Sequence, residues 1–186
     1  MQTATANRTN LLKITYAGLL ISIGIMIPLF SPLRIIIEPA SFTFASHTAI
    51  FIAMFISPSV TIAVTLGTTM GFWLNGFPPV VVLRALSHII FALLGSYYLT
   101  RVDKNSFGGV HLRIFSLILN LIHGGSELIV ALLFNYFVLE IPLEPVFVWQ
   151  TIALVGIGTI IHGFIDLEIA FAIRRALRRA NYLREF

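Results

Sequence analysis

Between Lys13 and Arg34 no side chain of this chain carries a formal charge, and the same holds between Glu38 and Arg84, between Arg84 and Arg101, and between Arg113 and Glu127. Uncharged apolar runs of this length leave few folds open. A helix needs about 20 apolar residues to cross the hydrocarbon core of a bilayer. The chain is 58% hydrophobic and 11% charged, whereas soluble domains carry about 25% charged residues. A soluble domain of 186 residues has too little interior to hide that much apolar surface, so most of its surface is expected to face lipid. The runs are continuous, not alternating in segments of about 10 residues, which favours helices over a membrane β-barrel. The first run lacks a small-residue cleavage site and is followed by others, so it reads as a span and not as a removable leader.

The predicted fold is an all-α integral membrane protein, a single domain over residues 1–186 with six spans at about 11–30, 46–56, 60–74, 80–100, 113–139 and 147–177. Proline and polar clusters mark the breaks. Pro28 and Pro32 end the first run, Ser57-Pro58-Ser59 forms a tight turn, and Asn75-Gly76-Phe77-Pro78-Pro79 forms another. The stretch from Ser31 to Ser46 is apolar but irregular, and Ser46 reads as the N-cap of a short second span.

Charge fixes an orientation for this arrangement. Arg8, Lys13, Arg101, Lys104, Arg113, Arg174, Arg175, Arg178, Arg179 and Arg184 all fall on one side of a six-span bundle. Glu38, Glu140 and Glu144 lie on the other, with Arg34. Flanking Lys and Arg stay cytoplasmic, so both termini are expected inside. The net charge of +4 is read as a topology signal and a source of contacts to anionic lipid. The basic residues are not interleaved with aromatics on one surface, so no nucleic-acid partner is expected.

Arg84 escapes this pattern, because it lies inside an apolar helix, where a charge is costly and usually functional. His88 follows it at i+4 on the same face. His123 and Glu127 form a second i,i+4 pair, with Asn120 one turn inward, and His162 and Asp166 form a third, with Glu168 nearby. His47 opens the second span. Two readings compete. These groups either satisfy one another inside a helix bundle, Arg84 pairing with Glu127, or they line a cavity open to the outside. For His162, Asp166 and Glu168 the bundle reading is favoured, since they lie toward the Arg cluster at the inner end. A buried guanidinium suits a carboxylate ligand bidentately. Phe42, Phe44, Trp73, Phe77 and Trp149 offer aromatic walls, although Trp73 and Trp149 at span ends also fit interfacial anchors.

Other chemistries find little support. The chain has no cysteine, so disulfides, thiolate metal sites and cysteine nucleophiles drop out together. The pairs His123/Glu127 and His162/Asp166 each offer two metal ligands, but a closed site needs four and H-E-x-x-H is absent. No metal is therefore expected. Walker A, G-x-S-x-G and glycine-rich nucleotide loops are also absent, so neither enzymatic activity nor ATP hydrolysis by this chain is expected. In the first span Ala17, Gly18, Ser22 and Gly24 are small, with Gly18 and Ser22 one turn apart. Such spacing lets helices approach closely in lipid, either within the bundle or against a partner.

These features together resemble the substrate-binding S components of energy-coupling factor (ECF) vitamin transporters, across essentially the whole chain. Within that group, E-P-A-S-F-T-F-A-S-H-T-A-I-F-I-A-M-F-I-S-P (38–58) and V-V-L-R-A-L-S-H-I-I-F-A-L-L-G (81–95) are similar to the niacin branch. The resemblance implies a subunit in a bacterial plasma membrane that captures a vitamin from outside. It implies docking on a membrane-embedded T component carried by two cytoplasmic ATPases, which use the ATP; no cofactor of its own is implied. The family's span-1 contact is A-x-x-x-A, and here Gly18-x-x-x-Ser22 beside Ala17 keeps the small residues but neither alanine. The implied site comprises Arg84, His88, His47, His123, Glu127, Phe42, Thr43, Trp73, Asn75 and Trp149. For nicotinate, Arg84 would take the carboxylate and a histidine the ring nitrogen. At about −1.5 kcal/mol per heavy atom, about nine atoms set a ceiling near −13 kcal/mol, close to nanomolar. Pantothenate is the neighbouring alternative, and a membrane-embedded metal handler or enzyme, or a purely structural subunit, the alternatives of other classes.

Overall fold

The computed structural model describes residues 2–102 and 109–180 and is mostly helical. Lys104 of the basic inner loop and Arg184 lie outside the described residues. The elements run α1 (Gln2–Phe30), a hairpin of β1 (Arg34–Ile37) and β2 (Ala40–Thr43), α2 (Thr48–Ile56), α3 (Pro58–Leu74), α4 (Pro79–Arg101), α5 (Gly109–Phe137), α6 (Pro145–Thr151) and α7 (Gly158–Arg179). A π-helical segment, Ile152–Ile157, joins α6 to α7 without a break.

Among the described residues, four helical stretches are long and apolar enough to cross a membrane: Asn7–Phe30, Pro79–Arg101, Gly109–Phe137 and Pro145–Leu177. They correspond to the first, fourth, fifth and sixth predicted spans. The other two helices are shorter. At 1.5 Å per residue, the nine residues of α2 reach only about 14 Å, and the 17 of α3 about 26 Å, against about 30 Å of hydrocarbon. Helix α2 is nonetheless the centre of the molecule. It is apolar all round, as a helix with no lipid-facing or water-facing side must be, and all its residues but Phe55 are buried. It packs on α1, α3, α4 and α7. Phe51, Met54, Val64, Phe91, Leu119 and Leu167 meet there in one core.

The stretch expected to be irregular is instead an antiparallel hairpin, with Arg34 opposite Thr43, Ile35 opposite Phe42, Ile36 opposite Ser41 and Ile37 opposite Ala40. Three consecutive isoleucines favour a strand, and Glu38-Pro39, joined by a cis bond, makes the turn. Strand β1 is exposed throughout, while β2 buries Ala40 and Thr43. Gln150 of α6 donates through Nε2 to the Glu38 carbonyl (3.2 Å) and so tethers the turn.

The long C-terminal helix approaches α5 closely because glycines face each other. A Cβ on Gly124 of α5 would stand 2.7 Å from the Gly156 carbonyl oxygen in the π segment. Gly163 on α7 likewise leaves room for Asn120 and His123 of α5. Small residues at such crossings let backbones meet in lipid, where apolar area alone gives helices no reason to associate.

Candidate functional site

The entry into α2 departs from the expected cap. His47, not Ser46, occupies the N-cap position, and neither side chain caps the helix. Asp166 of α7 does this work from across the bundle. Its Oδ1 accepts from Ala45 N (2.8 Å), and its Oδ2 accepts from His47 N (2.9 Å) and from His47 Nδ1 (3.0 Å). Ala45 has a positive φ of 66°, uncommon for a residue with a Cβ, and the Asp166 carboxylate holds its N–H in that turn. Ser46 points to His162 instead, with Oγ 3.1 Å from Nε2. The expected association of His162 and Asp166 with the inner Arg cluster is thereby corrected: both face the hairpin–α2 junction. Glu168 is exposed on another face of α7.

A second buried carboxylate organises the other wall. Glu127 of α5 accepts from Arg84 Nε (3.1 Å) and Nη2 (2.6 Å) at Oε2, and Thr159 Oγ1 donates to the same oxygen (2.7 Å). Its Oε1 faces His88 Nε2 at 2.7 Å and His123 Nε2 at 3.5 Å. Each of these groups is buried. The Arg84–Glu127 pair of the bundle reading therefore exists, and the same arginine also lines a cavity. An ion pair held this way makes sense in lipid, since either charge alone would be very costly to bury.

That cavity has a volume of about 300 Å³ and lies under the hairpin. Arg84, His88, Glu127, His47, His162 and Thr159 belong to its polar lining, with Ser41, Thr43, Ser46 and Thr68, and Arg34 and Glu38 stand at the hairpin side. Phe42, Phe72 and Phe77 supply aromatic surface, the last two stacked with ring centres 4.6 Å apart. Its size is at the small end of ligand pockets, about 300–1,000 Å³.

Of the sequence-derived candidates, Arg84, His88, His47, Glu127, Phe42 and Thr43 line the cavity. His123 sits directly behind it, wholly buried between His47, His88 and Phe91. Trp73 and Trp149 do not take part: both are about two-thirds exposed, at 65% and 69%. Asn75 is exposed at the α3 C-cap, donating to the Gly71 carbonyl (2.8 Å), and Phe44 also points outward. These four follow helix ends and hairpin edges outward, as interfacial residues do. Phe72, Thr159, Arg34 and Glu38 were missed. Two of them lie on a hairpin that apolarity alone did not announce, and Thr159 looks like any helical threonine until the π segment turns it toward Glu127.

The small residues of α1 divide. Ala17 is buried in the core, whereas Gly18 and Ser22 lie on the outward face, Gly18 with open space beside it. Ser22 Oγ donates to the Gly18 carbonyl (2.9 Å).

No protein-family model and no solved structure matches this chain. A curated protein does: the niacin transporter NiaX of Lactococcus lactis subsp. cremoris (strain MG1363), 35% identical over 179 residues, which is 96% of this chain and 79% of that protein. Identity at this level over nearly the full length, on a helical chain with membrane-crossing stretches, settles kinship: this chain belongs to the niacin-transporter family of ECF substrate-binding components.

Proposed function

We propose that this protein is the high-affinity niacin-binding subunit of an ECF importer, taking nicotinate from outside into the cavity beneath the hairpin. The likeness to a niacin transporter over 96% of this chain carries this reading, and the cavity supports it. About 300 Å³ suits a single small ring, and Phe42, Phe72 and Phe77 offer faces for that ring. Two of the five guanidinium N–H donors of Arg84 go to Glu127. The others remain for a carboxylate. The hairpin acts as the cover, held by β2 on the bundle side and by Gln150 at its turn.

The proposed topology has six crossings with both termini cytoplasmic, in a bacterial plasma membrane. Helix α2 makes the inner part of the second crossing, and the hairpin above it completes the depth. Gly18 and Ser22 present the small-residue face that meets the T component, and two ATPases bound to that component supply the energy. The outward exposure of both residues supports this contact.

Equilibrium binding of labelled nicotinate to the purified chain, stripped of co-purified ligand, tests the proposal. One site per chain is expected, with nicotinamide competing weakly and pantothenate leaving the label in place. Equal displacement by pantothenate, or no nicotinate binding, would remove niacin as the substrate.

A further inference from the structure

Three imidazoles from three different helices converge behind the cavity. The ring centres of His47 and His88 are 4.7 Å apart, those of His47 and His123 4.6 Å, and those of His88 and His123 5.0 Å. Each pair is close to perpendicular, at 74°, 72° and 90°. One ligand atom from each histidine and one carboxylate oxygen of Glu127 all fall within 4.8 Å of one another, and all four residues are buried. An imidazole bound to zinc at ~2.1 Å has its ring centre about 3.2 Å from the ion, so two such rings at a tetrahedral angle have centres about 5 Å apart. The observed triangle has that size.

A second observation is independent of this spacing. His123 is completely buried, yet its Nδ1 has no hydrogen-bond partner, and its Nε2 has Glu127 Oε1 at 3.5 Å, longer than an ordinary hydrogen bond. Buried polar atoms are paired in the great majority of cases, and an orphan calls for water, an ion or a functional reason. His47 points the same way. Its Nδ1 donates to the Asp166 carboxylate (3.0 Å), which leaves the Nε2 lone pair as the binding atom. A carboxylate behind a histidine is the usual outer support of a metal-bound imidazole.

We propose that His47, His88 and His123, with Glu127 Oε1 beside them, form a site for a divalent transition-metal ion of zinc type at the floor of the cavity. Nitrogen and carboxylate donors without thiolate fit zinc or cobalt(II) better than the hard cations. The three imidazoles would fill three tetrahedral positions and leave the fourth open toward the cavity, where a ligand oxygen or ring nitrogen could reach it. The site does not rest on the niacin reading, because its donors all come from this chain.

Tag-free protein in detergent, dialysed against chelator and free of vitamin, would be titrated with zinc and followed by calorimetry and elemental analysis. One equivalent per chain is expected. His123→Gln and His47→Gln are each expected to weaken binding about tenfold or more, while His111→Ala, an exposed change, leaves it unaltered. Cobalt(II) added to the parent chain is expected to show the intense visible bands of a tetrahedral nitrogen–oxygen site, a readout that needs no variant to fold. Zinc bound at less than one equivalent, affinity unchanged by both glutamine substitutions, or an octahedral cobalt spectrum would overturn the proposal.

Discussion

Arg84 shows what one residue can reveal and conceal. Its place in an apolar run of the sequence already marks it, because lipid makes an unpaired guanidinium so costly. The partner was legible as well, since Glu127 is the one acidic residue inside the predicted span 113–139. What the sequence could not show is that the pairing and the cavity coexist, with Glu127 Oε2 taking two Arg84 donors and the Thr159 hydroxyl. The histidines were likewise visible as i,i+4 pairs, but spacing along one helix says nothing about three helices meeting at His47, His88 and His123. Arg84→Ala should cost about 3–5 kcal/mol of stability, because it strands a buried carboxylate. The double variant with Glu127→Ala should lose less than the two single changes summed. Thermal unfolding in detergent reads both, and strict additivity would show that the two residues act independently.

At the scale of elements, the long helices were legible because their apolar runs match the bilayer, and their ends carry proline or charge. The hairpin and the π segment were not. Residues 34–43 contain a strand signal in Ile35-Ile36-Ile37, but an apolar stretch between spans reads equally well as a lid without regular structure. The π segment gives no periodic cue of its own, and π turns often sit at functional sites. Here it delivers Thr159 to Glu127 and sets Gly158 against Phe42. A Cβ on Gly158 would stand 2.6 Å from the Phe42 ring tip, so Gly158→Ala should push that ring out of the cavity wall. Nicotinate affinity should fall about tenfold, or 1.4 kcal/mol, with little change in unfolding temperature. Gly124→Ala acts differently, because it meets a carbonyl oxygen that cannot rotate away. It should destabilise the fold by about 1–3 kcal/mol, read as a lower unfolding temperature with or without vitamin.

Across the whole molecule, the distribution of Lys and Arg predicts topology independently of helix lengths, so the two can be set against each other. Among the described residues four stretches are long enough to cross alone, and the six-crossing arrangement needs α2 and α3 to cross as packed, shortened helices. The absence of cysteine makes this directly testable. In intact cells a membrane-impermeant maleimide should label Asn75→Cys at the outer end of α3. Val110→Cys, exposed near the start of α5, should react only after permeabilisation. Labelling of both from outside would break the inside-positive arrangement. The burial of α2 could not be read from its composition, since a lipid-facing helix is equally apolar; only its shortness hinted that it ends beneath something else. The most direct test of the central claim is an experimental structure of the protein with nicotinate. The vitamin should lie beneath the hairpin with its carboxylate within hydrogen-bond reach of Arg84 and its ring against Phe42 or Phe77. Nicotinate bound elsewhere, with this cavity holding only water, would contradict the assignment.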